Sequence, residues 1–492
     1  MTQPNLAPLF QNGDANKLTV EDQPVHGWYR FVLSFPAHLV RHYLERFRVS
    51  PTDWVLDPFC GTGTTLVECK KRDIPSVGME PHPVAHLASA VKTDWSIGGF
   101  GLITHARHVA EKASARLAQQ GICDTRVYAP TEVEQSGLRR LPAEAMKLLL
   151  RGSISPVPLH KTLVLLDALR AEEHSEYHRH EMLALARALN TRIGNLHFGP
   201  EVGVTQPKVD MPVVGAWLEC IHAMGSDLAM LEGMRDGSSV AHCADARDVS
   251  RYLEPESVSA VITSPPYPNE KDYTRITRLE SVVLGFVRTK AELRALKQRL
   301  VRSNTRGVYR GDDDDTWVAD HPSVQRIARA IEARRIELGK TSGFERQYAS
   351  VTKLYFDGMK RHLSELRQCL RKGANLAYVV GDQASYLRVM IRTGTVLAEI
   401  AESLGYEVVG IDLFRTRLAT ATREQLREEV ASYGGPGPDR HLLWGRSTDE
   451  EARRDQTAEP VRADNRAHLH VPLHSGDRGV HVRPRRDHPP CA

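Results

Sequence analysis

Between Asp53 and Lys92 the chain alternates twice between a short apolar run and a segment of helical spacing, and few architectures accommodate that rhythm. The stretch "DWVLDPFCGTGTTLVECKK" reads as a strand, a glycine turn and a helix. "PSVGMEPHPVAHLASAVK" follows as a second strand ending in Glu80 and a second helix. Strands separated by helices pair in parallel, because each crossover returns the chain to the same end of the sheet. The pattern resumes in "SSVAHCADA", in "SVSAVITSPPY" and in "YFDGMKRHLSELRQCLRKGANLAYVVGD", the last read as a helix with a basic end, a glycine stop and an apolar strand. "TVLAEIAESLGYEVVGIDLF" and "RHLLWGRS" add a helix, a strand and a final strand. The expected fold is therefore α/β, with one largely parallel sheet.

Residues 100–235 break the alternation. "ITHARHVAEKASARLAQQ", "LPAEAMKLLLRG", "KTLVLLDALRAEEH" and "HEMLALARALNTR" are helical in spacing and separated by breakers, which predicts a large helical insertion. The expected organisation is an N-terminal arm over 1–28, a first sheet segment over 29–99, the insertion over 100–235 and a second sheet segment over 236–448. The second segment carries its own insertion at 290–345. Residues 449–492, rich in Arg, His, Asp and Pro with sparse apolar spacing, read as a disordered tail. The chain of 492 residues has room for a substantial core, and its net charge of +4 admits a nucleic-acid partner without requiring one. Seven cysteines without paired short spacing suit reduced thiols and match no zinc pattern, so no metal is expected. With no apolar span of about 20 residues, the expectation is a soluble intracellular protein.

Two loops carry the chemistry. In "LDPFCGTGTT" a strand ends at Asp57, and Gly61 and Gly63 allow a backbone path and a close ligand approach that side chains would block. No third glycine stands in register and no Lys-Ser or Lys-Thr pair follows, so pyrophosphate is not the indicated ligand. Glu80, at the next strand end, can accept two ribose hydroxyls. Asp245 holds the same position after a third strand, suited to an adenine amine, with Asp248 as the local competitor for a capping role. In "TSPPY", Pro265 removes a backbone donor and ends the strand. The elbow then aims the Ser264 side chain and the Pro265 carbonyl at an exocyclic amine, while Tyr267 offers a face to a planar base.

The combination of "DPFCGTGTT" and "TSPPY" resembles the S-adenosylmethionine-dependent DNA amino-methyltransferases, particularly the bacterial cytosine-N4 enzymes, over most of 29–96 and 237–446. The resemblance implies a Rossmann-like class I methyltransferase sheet. It implies a cofactor site of Asp57, Pro58, Phe59, Gly61, Gly63, Thr64, Thr65, Glu80 and Asp245, with Phe35 and Pro36 from the preceding segment. It also implies a catalytic loop of Ser264, Pro265, Pro266 and Tyr267. Adenine-N6 relatives more often carry Asp or Asn before Pro-Pro-Tyr, so the serine favours cytosine.

A methyl transfer to an amine inside a duplex requires the base to leave the stack, so the implied partner is double-stranded DNA. Lys271, Tyr273 and Arg275 are expected to shape the base pocket or approach phosphate, and Arg302, Arg306 and Arg310 to meet phosphate oxygens. The implied function is sequence-specific methylation in restriction-modification or self-protection, in the cytoplasm of a bacterial or archaeal cell, with any cognate restriction endonuclease on a separate chain. The alternatives are an adenine-N6 enzyme and a non-catalytic, cofactor-binding DNA regulator.

Overall fold

The computed structural model describes residues 18–435 apart from 31–33, 130, 135, 199–201, 235–236, 270, 310–314 and 419–424. Most of the expected arm, the expected strand "RHLLWGRS", the tail 449–492 and Arg310 lie outside the described residues.

Among the described residues nine strands are formed: β1 Val55–Asp57, β2 Ser76–Met79, β3 Leu196–Phe198, β4 Val202–Val204, β5 Ser239–His242, β6 Val258–Thr263, β7 Leu370–Gly381, β8 Glu407–Leu418 and β9 Gln425–Gly434. Seven make one sheet in the order β5-β2-β1-β6-β7-β9-β8. Strands β5, β2, β1, β6 and β7 run parallel, with Val55 opposite both Ser76 and Ala260. Strand β9 pairs antiparallel with β7 and with β8. This mixed α/β arrangement, with a mainly parallel central sheet flanked by helices, is a Rossmann-like methyltransferase fold.

The central strands are apolar on both sides because both faces are covered. Along β6, Val258 and Val261 face a core shared with Tyr355, Met359 and Leu363 of the Tyr348–Arg367 helix. Ala260 and Ile262 face the opposite core, against Leu39, Val40 and Tyr43 of the Ala37–Arg46 helix. Strand β7 alternates in the same way, with Leu376, Tyr378 and Val380 on one side and Ala377 and Val379 on the other. Each buried Val, Leu, Ile or Met side chain here contributes about 1.5–3 kcal/mol by leaving water.

The region over 100–235 is mostly helical, with Gly99–Gln119, Pro156–Arg170, His178–Ala188 and Val213–Leu231 as its long elements. Its core of Leu102, Val109, Leu165, Leu185 and Trp217 is continuous with Val84, Ala88 and Val91 of the Pro83–Lys92 helix and with Leu279 and Val283. The "NLHFGPEVGVTQPKVD" connection holds the β3–β4 hairpin. Among the described residues, no helix is long and apolar enough to cross a membrane.

Two local expectations change. Gly373 does not stop a helix: the helix ends at Arg367, and Gly373, at φ 74°, lies inside β7. There the register against β6 jumps from Val258↔Leu370 to Ala260↔Asn375, an irregularity that a left-handed glycine accommodates. Strand β9 has no counterpart among the expected strands, and its Glu428 and Glu429 are buried.

Candidate active site

A cavity of about 590 Å³ opens at the carboxyl ends of the parallel strands. The chain leaves β1 toward β2 and β5 on one side and continues through β6 to β7 on the other, so strand order reverses between β1 and β6. Open sheets of this kind receive ligands at such a reversal. Here the two strand ends are tied together. Thr263 Oγ1 donates to Asp57 Oδ1 at 2.5 Å, and Thr65 Oγ1 donates to the Ile262 carbonyl at 3.1 Å.

The glycine turn is shaped as a cradle. Gly61 has φ 51°, and a Cβ added there meets no atom within 4 Å, so it would project into open space. Gly63 has φ 84° and serves packing instead, since a Cβ there would stand 3.0 Å from Ser89 Cα. Asp57 is fully buried, and its Oδ1 also accepts the Phe59 N–H at 3.1 Å. Among the described residues its Oδ2 has no protein donor, and burial pushes this carboxyl up to about 6. Glu80 Oε1 accepts the His82 N–H at 2.7 Å, and burial pushes Glu80 up to about 7. The next turn holds a neutral imidazole: burial lowers His82 to about 4, and its Nε2 meets Thr277 Oγ1 at 2.8 Å.

Asp245 lines the cavity and also caps its own turn, accepting the Arg247 N–H at 2.9 Å. Its Oδ2 takes Arg247 Nη2 at 2.6 Å, so Asp245 rather than Asp248 is the capping residue. Phe35, Phe59, Gly61, Thr64 and Glu80 line the same cavity. Pro36 begins the Ala37–Arg46 helix, and Asp57, Pro58, Gly63 and Thr65 stand behind the lining.

All four residues from Ser264 to Tyr267 line the cavity. The Ser264 hydroxyl donates to the Val379 carbonyl at 3.1 Å, which fixes the side chain against β7 and leaves its oxygen as an acceptor. The Tyr267 ring lies over Gly381: a Cβ on that glycine would stand 3.0 Å from Tyr267 Cε2.

A strap over residues 297–307 lines the cavity. At one end Arg299 Nη2 donates to the Cys243 carbonyl at 2.7 Å, and Arg247 Nη2 to the Gln298 carbonyl at 2.8 Å. At the other, Asn304 Nδ2 donates to the Lys271 carbonyl at 3.2 Å, and Tyr386 OH donates to the Ser303 carbonyl at 3.0 Å. Lys297 Nζ pairs with Asp272 Oδ2 at 2.7 Å. Lys271, Tyr273 and Arg302 line the cavity. Arg302 is buried, and its Nη1 donates to the carbonyls of Lys297, Gln298 and Leu300, so this guanidinium closes the end of the Lys290–Arg299 helix. Arg275 Nη2 reaches the Val202 carbonyl of the hairpin at 3.4 Å, and Arg306 stands 5.8 Å from the Phe344 ring centroid. Neither Arg275 nor Arg306 borders the cavity.

Sequence reading missed Phe414, Arg415 and Glu428, which complete the wall beside Tyr267. They come from β8 and β9, and only the register of those strands brings them there.

Residues 13–90 match the family model described as DNA methylase. Over 438 residues the chain is 23% identical to the type II methyltransferase M.BsoBI of Geobacillus stearothermophilus, covering 84% of each chain. It is 22% identical to the type II methyltransferase M.AvaI of Nostoc sp., covering 85% of this chain and 87% of that one. A stretch of 69 residues is 41% identical to the type II methyltransferase M.MjaII of Methanocaldococcus jannaschii, covering 14% of this chain and 13% of that one. The domain match and the similarities along most of the chain support placing this protein in the amino-methyltransferase family of site-specific DNA methyltransferases.

Proposed function

We propose that the chain transfers a methyl group from S-adenosylmethionine to the N4 amine of a cytosine flipped out of duplex DNA. The observation that carries this reading is the meeting of Ser264–Tyr267 with the Gly61 cradle and Glu80 in one cavity. The donor set fits the cofactor: an open glycine for close approach and a carboxylate suited to ribose hydroxyls at Glu80, with Asp57 behind the lining. Gly61 and Glu80 would hold it, with Asp245 and Phe35 at its edges. When bound, S-adenosylmethionine supplies an electrophilic methyl on a sulfonium whose leaving group is a neutral thioether.

The residues of the chain then do the positioning. The Ser264 oxygen and the Pro265 carbonyl accept the two amine protons, which favours the pyramidal geometry with its lone pair directed at the methyl carbon. An amine that accepted the methyl group would carry an extra proton, which would pass to solvent. Tyr267 supplies the stacking wall that retains the base. Serine before Pro-Pro-Tyr favours cytosine over adenine. The proposed partner is double-stranded DNA, with the helical region over 100–235 and the strap as candidate contact elements, and the proposed setting is restriction-modification or self-protection.

The test is transfer of labelled methyl from S-adenosylmethionine to diverse duplex DNA. Label in DNA supports the reading. Binding of both cofactor and DNA with no label transferred would favour a regulator instead.

A further inference from the structure

Arg415 lines the cavity on the same wall as Tyr267. It sits on β8 opposite Glu428 of β9, and its Nε donates to Glu428 Oε2 at 2.5 Å, which fixes the plane of the guanidinium. Glu428 and Tyr267 are neighbours across a missing side chain, since a Cβ on Gly381 would meet Tyr267 Cε2 at 3.0 Å and Glu428 Cγ at 3.4 Å. Arg415 also lies 5.9 Å from the Phe414 ring centroid, and Tyr267, Phe414, Arg415 and Glu428 all line the cavity. Its Nη1 and Nη2 have no protein acceptor among the described residues. The wall beside Tyr267 therefore presents an oriented fork of donors.

We propose that Arg415 reads the base edge next to the reacting amine and selects cytosine over adenine. The inference rests on the amino-methyltransferase reading above and deepens it. With the amine held at Ser264 and Pro265, the next two positions along the cytosine edge are the acceptors N3 and O2. Adenine offers N1 followed by a C–H. A guanidinium fork meets both acceptors of cytosine and only one of adenine. A two-point contact of this kind is worth about 10- to 100-fold in discrimination. The Glu428 carboxylate holds the fork flat against the wall, so it acts as a positioning residue.

The experiment uses the full chain and a duplex oligonucleotide containing a site at which the protein methylates DNA. The target base is cytosine or a 2-aminopyridine C-nucleoside, which keeps the amine and the ring nitrogen at the N3 position and carries a C–H in place of O2. Wild-type kcat/KM is expected to fall about 10- to 100-fold on the analogue without O2. Arg415→Ala should lose that preference, treating the two bases alike, and Arg415→Lys, which retains the charge beside Glu428, should retain only part of it. Binding of S-adenosylhomocysteine at wild-type affinity shows that each variant is folded. If Arg415→Ala and Arg415→Lys both keep the wild-type ratio, the role of Arg415 is overturned while the cytosine reading stands. If the wild type methylates adenine and not cytosine, the cytosine reading fails first and takes this inference with it.

Discussion

Replacing Glu80 by Gln should separate the stability of the empty protein from its affinity for the cofactor, in opposite directions. Burial raises this carboxyl from its usual 4.5 to about 7. The unfolded chain therefore releases the proton at lower pH than the folded one. Stability tied to the protonated form is complete below pH 4.5 and is lost as pH rises through 7, a cost of about 3 kcal/mol above that range. Glu80→Gln removes the titration, so without ligand the variant should be more stable than wild type at pH 8 by up to about 3 kcal/mol and gain little below pH 4.5. Binding runs the other way. A carboxylate that accepts ribose hydroxyls must be ionised, and in the empty site it is about one tenth ionised at pH 6 and about nine tenths at pH 8. Calorimetric affinity for S-adenosylhomocysteine should therefore be about tenfold weaker at pH 6 than at pH 8 in the wild type. The ligand's own titration is common to both proteins, so the variant run in the same buffers removes it by difference. Equal slopes for wild type and Glu80→Gln would refute the assignment.

Tyr267→Ala should leave S-adenosylhomocysteine affinity unchanged and lower kcat/KM for DNA by about 10- to 100-fold, through loss of base stacking. Unchanged turnover at limiting DNA would remove Tyr267 from the target site. The two glycines should respond differently. Gly63→Ala places a Cβ 3.0 Å from Ser89 and should lower stability by about 2–4 kcal/mol in denaturant titration, whereas Gly61→Ala, with no atom in its way, should cost about 1–2 kcal/mol and mainly weaken cofactor binding. Arg302→Ala should lower stability by about 1–3 kcal/mol and leave the salt dependence of DNA binding as in wild type, because its Nη1 is buried on three backbone carbonyls. A shallower salt dependence in that variant would restore a phosphate role.

What was legible in the sequence is what local rules govern. Strands β1, β2, β5, β6 and β7 are short apolar runs bounded by Gly, Pro or a carboxylate, and their order with the helices dictates a parallel sheet. Ser264 and Pro265 could be placed at a strand end because proline forbids continuation of the ladder. Strand β9 could not be read this way. Its buried acids have arginine partners: Arg427 Nε reaches Glu429 Oε1 at 2.9 Å and Arg415 Nε reaches Glu428 Oε2 at 2.5 Å, while Arg427 is itself tied to Asp382, and the cross-strand partners of Glu428 and Arg427 leave no mark on local pattern. The same holds for Arg415, whose role depends on its register against Glu428. Arg302 shows the converse: a basic side chain in a loop suggests phosphate, but its donors close the end of a helix. The Asp245–Arg247 pair was within reach of the sequence, since a carboxylate before a short helix with Arg two residues on is a local capping arrangement.

The measurement that bears most directly on the central claim is the identity of the methylated nucleoside. Purified protein is incubated with labelled S-adenosylmethionine and diverse duplex DNA, the DNA is digested, and labelled nucleosides are identified by mass spectrometry. The account predicts N4-methylcytosine as the labelled product, abolished or reduced by Tyr267→Ala. Label in N6-methyladenine would contradict the cytosine reading, and no label despite binding of both cofactor and DNA would contradict the enzyme itself.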